Sequence, residues 1–148
     1  MNEAQRRLVE DMGQHMVAWG LPRTTGRIYA YLLLRPAPAT LDEIARDLEV
    51  AKSGASVGTR QLVAFGLART FGERGSRRLR YDALYDVQAI VAARAAQTIG
   101  LFDLLREASR VATSPSIKRQ ISNMTSALES MLTQFPELVR RAQTRRRA

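Results

Sequence analysis

The sequence predicts a mainly α-helical fold that contains one small β-hairpin. Over most of the 148 residues, apolar side chains recur at steps of three and four, the period of helices with one buried side. Residues 67–81 depart from this period, with two short runs around a glycine-containing loop at 72–76, which is typical of a hairpin. The last helical segment repeats every 3.5 residues, so it is expected to pack against another helix.

Composition excludes several kinds of chemistry. The chain has no cysteine and a single histidine, His15. Disulfides, thiol nucleophiles and Cys-ligated or multi-His metal sites are therefore excluded, and a Ser-His catalytic pair is disfavoured. We expect no enzymatic activity, no metal and no cofactor. No apolar run approaches the roughly 20 residues of a membrane span, and the first residues lack the apolar core of a signal peptide, so a cytoplasmic protein is expected.

Positive charge is concentrated in two segments. The chain has 23 Lys and Arg against 14 Asp and Glu, a net charge of +9. Residues 23–80 carry +6 and residues 140–148 carry +5, whereas 1–22 and 81–139 each carry −1. Concentrated positive charge attracts polyanions such as nucleic acid or acidic lipid. The positive charge has a second explanation: a chain rich in arginine can carry it on an ordinary solvated surface that binds no polyanion.

Two helices are predicted ahead of the central motif. The first is expected over residues 2–19 and is ended by 20–22, Gly-Leu-Pro. Its apolar face is expected to consist of Leu8, Met12, Met16 and Trp19. The second helix is expected to take Thr24 or Thr25 as its N-cap and to end near Leu34.

Residues 40–66 predict a helix, a tight turn and a second helix. Thr40 and Glu43 form a capping-box pattern, in which each side chain bonds the backbone N–H of the other, so a short helix is expected over 41–48. The next helix is expected over 52–65, with Gly66 just past its end. Its buried face is expected to consist of Ala55, Thr59, Leu62 and Phe65.

The other face of helix 52–65 is mostly polar and fits the major groove of DNA, where base edges carry a readable code. Ser53 and Ser56 offer short hydroxyl groups, and Arg60 can reach a guanine edge or a phosphate. Gly54 and Gly58 lie off the expected core face. Their missing side chains are interpreted as allowing close approach of the backbone to DNA, although a weak helix held by its core contacts explains them nearly as well.

The hairpin that follows carries three arginines at or beside its turn. Strands are expected over 67–71 and 77–81, and the loop between them can straddle a phosphate backbone or enter a minor groove. Because Arg77 and Arg78 should point to opposite faces of their strand, one is expected on DNA and the other on an internal carboxylate. Helix, turn, helix and basic hairpin together predict a winged helix-turn-helix. The residues expected to contact double-stranded DNA are Lys52, Ser53, Gly54, Ser56, Val57, Arg60, Arg74, Arg77 and Arg78.

The C-terminal part of the sequence predicts helices that pair with other helices. A helix is expected over 82–113, with apolar residues on more than one side, so it should pack on two sides. Ser114-Pro115 ends it, and a regular apolar seam follows. The seam residues, expected to form a symmetric dimer contact, are Ile117, Ile121, Met124, Leu128, Met131 and Phe135.

The sequence resembles the GbsR/MarR-type winged helix-turn-helix transcriptional regulators. The similar stretches are GLPRTTGRIYAYLLL (20–34), TLDEIARDLEVAKSGASVGTRQLVAFGLARTF (40–71) and GSRRLRY (75–81). The chain departs from the family pattern at Ala51, where a capping Ser is usual, at Ser76, where an Asp is usual in the wing, and at Gly58, where a longer polar residue is common.

The resemblance implies a homodimeric regulator that reads a pseudo-palindromic DNA site. Residues 1–22 and 82–139 would then form the dimer body and 23–81 the DNA-binding domain. By its composition the basic tail over 140–148 is expected to be disordered, although a contact with DNA phosphates or with a partner also fits. The resemblance also implies a small-molecule effector of unknown identity. Aromatic and histidine side chains that could line its pocket, although such residues more often belong to the core, are His15, Trp19, Tyr29 and Tyr85.

Two other functions remain open from the sequence. One is a non-specific architectural DNA-binding protein, and the other is a winged-helix module that binds proteins rather than DNA. Internal salt bridges to the arginines of the second helix and the wing would favour the protein-binding module.

Overall fold

The computed structural model describes residues 1–72, 75–137, 140, 141 and 144. Two compact units divide between Tyr85 and Asp86. The helices and strands in chain order are α1 (Glu3–Val17), α2 (Arg23–Leu33), β1 (Ala39–Thr40), α3 (Leu41–Leu48), α4 (Lys52–Ala64), β2 (Ala68–Gly72), β3 (Leu79–Ala83), α5 (Val87–Val111) and α6 (Pro115–Thr133).

The buried face of α1 matches the prediction only in part. Val9, Gly13 and Met16 are buried and Met12 is half-buried, whereas Leu8 is 45% exposed and Trp19, just beyond the helix, is 49% exposed. The prediction was right for Met16 and wrong for Leu8 and Trp19, because a hydrophobicity pattern does not place a glycine in a core. Here the inward face is centred on Gly13, where α1 meets α2.

Two glycines allow α1 and α2 to cross at close range. A Cβ placed on Gly26 would lie 2.8 Å from the Met12 carbonyl oxygen and 2.9 Å from the Gly13 Cα. Beside the crossing, Glu10 accepts from the Arg23 guanidinium at 2.6 Å and from Arg27 Nε at 2.8 Å. The helices are therefore held by backbone contact on one side and by ion pairs at the edge.

The beginnings of α2 and α3 differ in how they are capped. Helix α2 starts at Arg23 after Pro22, so the expected N-cap at Thr24 or Thr25 was wrong. Thr25 is instead buried, and its hydroxyl donates to Gln61 Oε1 at 2.5 Å. The capping box of α3 is confirmed, since Glu43 N donates to Thr40 Oγ1 at 3.3 Å and Thr40 N donates to Glu43 Oε2 at 2.8 Å.

The hairpin is part of a three-stranded antiparallel sheet in the order β1–β3–β2. Thr70 is paired with Tyr81, and Tyr81 is also paired with Ala39 of the short strand β1. The expected helix start at residue 82 was wrong because β3 continues to Ala83, which is paired with Ala68 and is buried. Helix α5 begins only at Val87, where the Asp86 side chain accepts from Ala89 N at 3.1 Å.

The second unit contains α5 packed against α6. Phe102 and three alanines of α5 are buried, and Arg106 of α5 donates to Glu129 of α6 at 2.6 Å. The predicted seam lies largely open on this single chain: Met124 is 48% exposed and Met131 is 63% exposed. Ile117 and Phe135 are also exposed, while Ile121 and Leu128 are half-buried. None of the described helices is long and apolar enough to cross a membrane.

The substitution Gly26→Ala is expected to destabilise the first unit. The added methyl group meets backbone atoms that can move only if the two helices separate. Overpacking of this kind costs about 1–3 kcal/mol of stability. This cost is expected to exceed the roughly 1 kcal/mol by which Ala stabilises a helix relative to Gly. Gly54→Ala is the matched control, since a Cβ there meets nothing within 4 Å. Urea unfolding followed by circular dichroism measures both variants, and a Gly26→Ala protein as stable as Gly54→Ala would refute the close crossing.

Candidate nucleic-acid interface

Helices α3 and α4 are joined by a sharp turn at Glu49. This residue has φ 55° and ψ 43°, the left-handed conformation that non-glycine side chains rarely adopt. Val50 N donates to Ala45 O at 3.0 Å and closes the end of α3. The tight turn predicted between the two helices therefore begins at Glu49.

The inner face of α4 packs on α2 through small residues. Ala55, Thr59 and Leu62 are fully buried as predicted, and Phe65 just beyond the helix is half-buried. The Thr59 hydroxyl donates to Ala55 O at 2.9 Å, so this core position leaves no unpaired donor. Because this face is fixed in the core, the opposite face of α4 must point outward.

The outward face of α4 carries most of the residues predicted to contact DNA. Lys52, Ser53, Val57 and Arg60 are exposed, and Gly54 and Ser56 are half-buried. Within the described part of the chain, the Arg60 side chain has no ion-pair or hydrogen-bond partner. The helix thus presents hydroxyl, apolar and guanidinium groups to solvent along one side.

The two glycines of α4 have different surroundings. Gly54 faces open space, in keeping with a close approach of another molecule. Gly58 is buried, and a Cβ placed on it would lie 2.6 Å from Ile28 Cδ1. The interpretation that Gly58 makes room for DNA was therefore wrong. It makes room for α2, which also explains why a longer side chain does not stand there.

The N-terminus of α4 lies beside a carboxylate. Ala51 is the N-cap and provides no side-chain hydrogen bond, so the first amides of α4 keep their positive dipole end uncapped. Lys52 Nζ lies 2.7 Å from Asp42 Oδ1, and both side chains are exposed. The hydrogen bond from Lys52 holds the pKa of Asp42 below its ordinary value, so this carboxyl is ionised at neutral pH. Lys52 thus has an acidic partner that the sequence interpretation did not include.

The wing is fixed at its base by charge and ring contacts. Arg69 of β2 pairs with Asp82 directly opposite on β3, at 2.9 Å, and its guanidinium lies 5.2 Å from the centre of the Phe71 ring. Gly75 has φ 78°, the conformation expected at the turn. Ser76 Oγ accepts from Arg78 N at 3.0 Å, so the serine at the usual aspartate position still bonds the wing backbone.

Both described wing arginines line one cleft with the start of α4. Arg77 and Arg78 are exposed, and they surround a cavity of 240 Å³ together with Lys52 and Asp42. Both arginines precede β3, which begins only at Leu79, so the strand start expected at residue 77 was wrong by two residues. Neither guanidinium forms an ion pair with a described carboxylate. Arg74 and Arg145–Arg147 lie outside the described residues.

A polar network behind the interface ties α2 to α3. The Tyr31 hydroxyl donates to Asp47 Oδ2 at 2.6 Å and accepts from Arg35 Nη1 at 2.5 Å. Arg35 also donates to Glu43 Oε1 at 3.2 Å, so the capping box belongs to the same network. Burial, followed by the bond to Asp47, raises the pKa of Tyr31 to about 12. The network positions the helix on which α4 is supported.

The proposed effector-binding side chains form two separate pairs. His15 on α1 and Trp19 just beyond its end are both exposed, with ring centres 6.4 Å apart. Burial, with a smaller contribution from the nearby Tyr85, raises the pKa of Tyr29. The Tyr85 hydroxyl donates to Leu33 O at 3.3 Å. None of the four lines the cleft beside the wing. Among the described residues, no group of three His, Asp or Glu side chains could hold a metal ion.

Comparisons with known proteins agree with this architecture. No family model matches the chain. The HTH-type transcriptional repressor OpcR of Bacillus subtilis (strain 168) is 27% identical over 86 residues, which are 58% of this chain and 46% of that protein. The proposed HTH-type regulator YvaV of the same organism is 26% identical over 86 residues, 58% of this chain and 49% of that protein. The chain thus spans about half the length of the curated relatives it matches.

A crystal structure of a transcriptional regulator superimposes with a TM-score of 0.82 at 24% identity, covering 95% of this chain and 99% of that one. The fold is a winged helix-turn-helix. By sequence the chain resembles helix-turn-helix transcriptional regulators. Sequence reasoning found the two helices and the wing of this winged helix-turn-helix. It missed the ion pair of Asp42 with Lys52 at the start of α4, because the two residues belong to different helices and no pattern within one helix links them.

Tyr31 is expected to make stability fall at alkaline pH. Its hydroxyl keeps a proton to about pH 12 in the folded protein but loses it near pH 10 in the unfolded chain. The folded state therefore binds this proton more tightly, so the stabilisation is complete below pH 10 and is lost as the pH rises toward 12. Urea unfolding at several pH values measures this. Between pH 10 and 12 the free energy of unfolding should fall less steeply for Tyr31→Phe than for the natural chain.

A second variant separates the network from burial alone. Asp47→Asn removes the charged acceptor of the Tyr31 hydroxyl. The ionisation of Tyr31, followed by the ultraviolet absorbance of tyrosinate, should therefore occur at lower pH in this variant. An alkaline titration in which all four tyrosines ionise together in the folded natural protein would contradict this assignment.

Proposed function

We propose that this chain is a DNA-binding transcriptional regulator, a repressor of the MarR type, that acts as a homodimer on a pseudo-palindromic operator. Helix α4 would enter the major groove, and the wing over residues 72–78 would lie on the phosphate backbone or in the minor groove. The observation that carries this proposal is the two-sided character of α4: Ala55, Thr59 and Leu62 are in the core, while Ser53, Val57 and Arg60 are exposed.

The distribution of paired and unpaired arginines favours DNA over a protein partner. Arg27, Arg35 and Arg69 each lie within 4.0 Å of a carboxylate and support the fold. By contrast, Arg60 and Arg77 have no such partner in the part of the chain that the structure describes. A protein-binding winged helix would not need to leave cations unneutralised along α4 and the wing, whereas a polyanion supplies the missing charge.

The repressor role rests on resemblance. OpcR is described as a transcriptional repressor, and its matched 86 residues amount to 58% of this chain. A bound dimer hinders other proteins at the same DNA without any catalytic group, which fits a chain with no cysteine and one histidine.

A second copy of the chain is the proposed partner of the α6 seam. Met124, Met131 and Phe135 are between 48% and 63% exposed. They belong to one apolar stripe, and its exposure to water is unfavourable unless another helix covers it. To read two half-sites of one operator, the two α4 helices of such a dimer would have to lie about one DNA turn apart, roughly 34 Å.

The central test is binding to DNA sites selected from random duplexes. Arg60→Ala is expected to weaken binding by about 1–3 kcal/mol and to relax the preference at one base position. Arg77→Ala is expected to weaken binding equally for all sequences and to lower the slope of log affinity against log salt by about one unit. Fluorescence anisotropy at several salt concentrations measures both effects.

The matched control is Arg7→Ala, which removes one exposed positive charge from α1. If Arg60→Ala and Arg77→Ala bind DNA with the same affinity and salt dependence as this control, the assignment of the interface to α4 and the wing is wrong. Selection that yields no preferred sequence would instead identify a non-specific architectural DNA binder, and no measurable DNA binding would favour the protein-binding module.

The dimer is tested by a charge placed on the seam. Met124→Glu is expected to shift the dimer toward monomer at micromolar concentration, because a carboxylate buried in an apolar contact must be desolvated. Ser126→Glu, exposed on the opposite side of α6, is the matched control and should stay dimeric. Sedimentation equilibrium gives the mass of each. A natural chain that sediments as a monomer throughout would refute the seam.

A further inference from the structure

Val57 is an apolar side chain on the polar face of α4. It is 45% exposed at the middle of the helix, one turn after Ser53 and three residues before Arg60. The packing on α2 does not require it, because the core side of α4 is formed by other residues. Its place within the proposed base-reading face suggests a contact of its own.

A shallow cleft opens directly beside Val57. The cavity has a volume of 340 Å³ and lies between the start of α2 and the outer side of α4. Pro22 and Val57 are apolar residues of its lining, and Gly54 adds no side chain to it. The Gln61 side chain at the edge accepts from the Thr25 hydroxyl at 2.5 Å. The cleft is thus apolar inside and bordered by polar groups.

We propose that this cleft receives the C5-methyl group of a thymine and makes Val57 a specificity-determining residue. The proposal rests on the proposed function, since it assigns an apolar task to the same α4 face. The methyl group of thymine is the apolar group that a base pair presents in the major groove, and cytosine has only hydrogen at that position. Valine and proline side chains beside a glycine offer an apolar contact for a methyl group.

Continuity with the DNA-facing cations favours a base over another occupant. Ser53 lines the cleft itself, and Arg60 is exposed on α4 one turn after Val57. An apolar peptide or small molecule seated here would gain nothing from these groups, whereas a DNA strand gains phosphate and base-edge contacts at both ends of the apolar spot.

The test replaces single thymines by deoxyuridine in the selected DNA site. This change removes one methyl group and leaves every hydrogen bond and phosphate in place. At one thymine in each half-site, the natural protein is expected to bind the uracil form roughly four-fold more weakly, the value of one buried methyl group. Val57→Ala should bind the thymine and uracil forms of that position nearly equally, and Val57→Thr should discriminate less than the natural protein.

The matched control is Val17→Ala, a valine of similar exposure (47%) on α1. It should keep the four-fold discrimination, and circular dichroism checks that each variant is folded. Equal affinity of the natural protein for thymine and uracil at every position overturns this inference while leaving DNA binding intact. Discrimination that survives in Val57→Ala overturns it too. Failure of the natural protein to bind any DNA removes the proposed function itself, so the two failures are distinguishable.

Discussion

The close packing of α4 on α2 is the contact on which the rest of the interface depends. Gly58 and Ala55 present almost no side chain, so α4 lies close enough for Ile28 to occupy the space beside Gly58. The bond from Thr25 to Gln61 adds a polar contact between the two helices. With one side of α4 fixed in this way, its rotation about its own axis is set, and the same rotation decides which side chains reach solvent. A change in the size of the inner residues would therefore alter what the outer face presents.

Charge is distributed in two layers in the first unit. The inner layer consists of paired groups, among them the Tyr31–Asp47 bond and the Glu10 carboxylate held between two arginines. These groups satisfy one another and hold α1, α2 and α3 together. The outer layer lies along α4 and the wing, where Arg60 and Arg77 form no ion pair with a described carboxylate. This separation explains how a chain with a net charge of +9 keeps a fixed core and still presents an attractive surface to anions.

Local patterns were sufficient to predict the central elements. The capping box at Thr40 and Glu43 determines the start of α3, and the steps between Ala55, Thr59 and Leu62 determine the buried side of α4; all of these are found as predicted. Such signals lie within one turn of helix and need no knowledge of a distant neighbour. The outward placement of Ser53 and Arg60 follows from the same period.

The predictions that failed depend on residues far apart in the chain. The inward face of α1 is set by Gly13 meeting Gly26, a contact that hydrophobicity cannot reveal because glycine contributes no apolar side chain. The continuation of β3 to Ala83 depends on pairing with Ala68, fifteen residues earlier. The exposed pair of Asp42 and Lys52 joins two helices across a turn whose shape is set by the left-handed Glu49. No periodicity in a single segment encodes these three contacts.

Under the proposed function, the carboxylate of Asp42 affects how long the protein stays on DNA that lacks its binding site. Every cation at such a surface slows departure from arbitrary DNA, and a negative group placed among them shortens each unproductive stay. At a matching site, by contrast, base contacts add to the binding energy and compensate for the repulsion. An acid next to Lys52 would thus lower the total affinity for DNA and shorten the time bound to non-matching sequences. The search for the operator would then be faster.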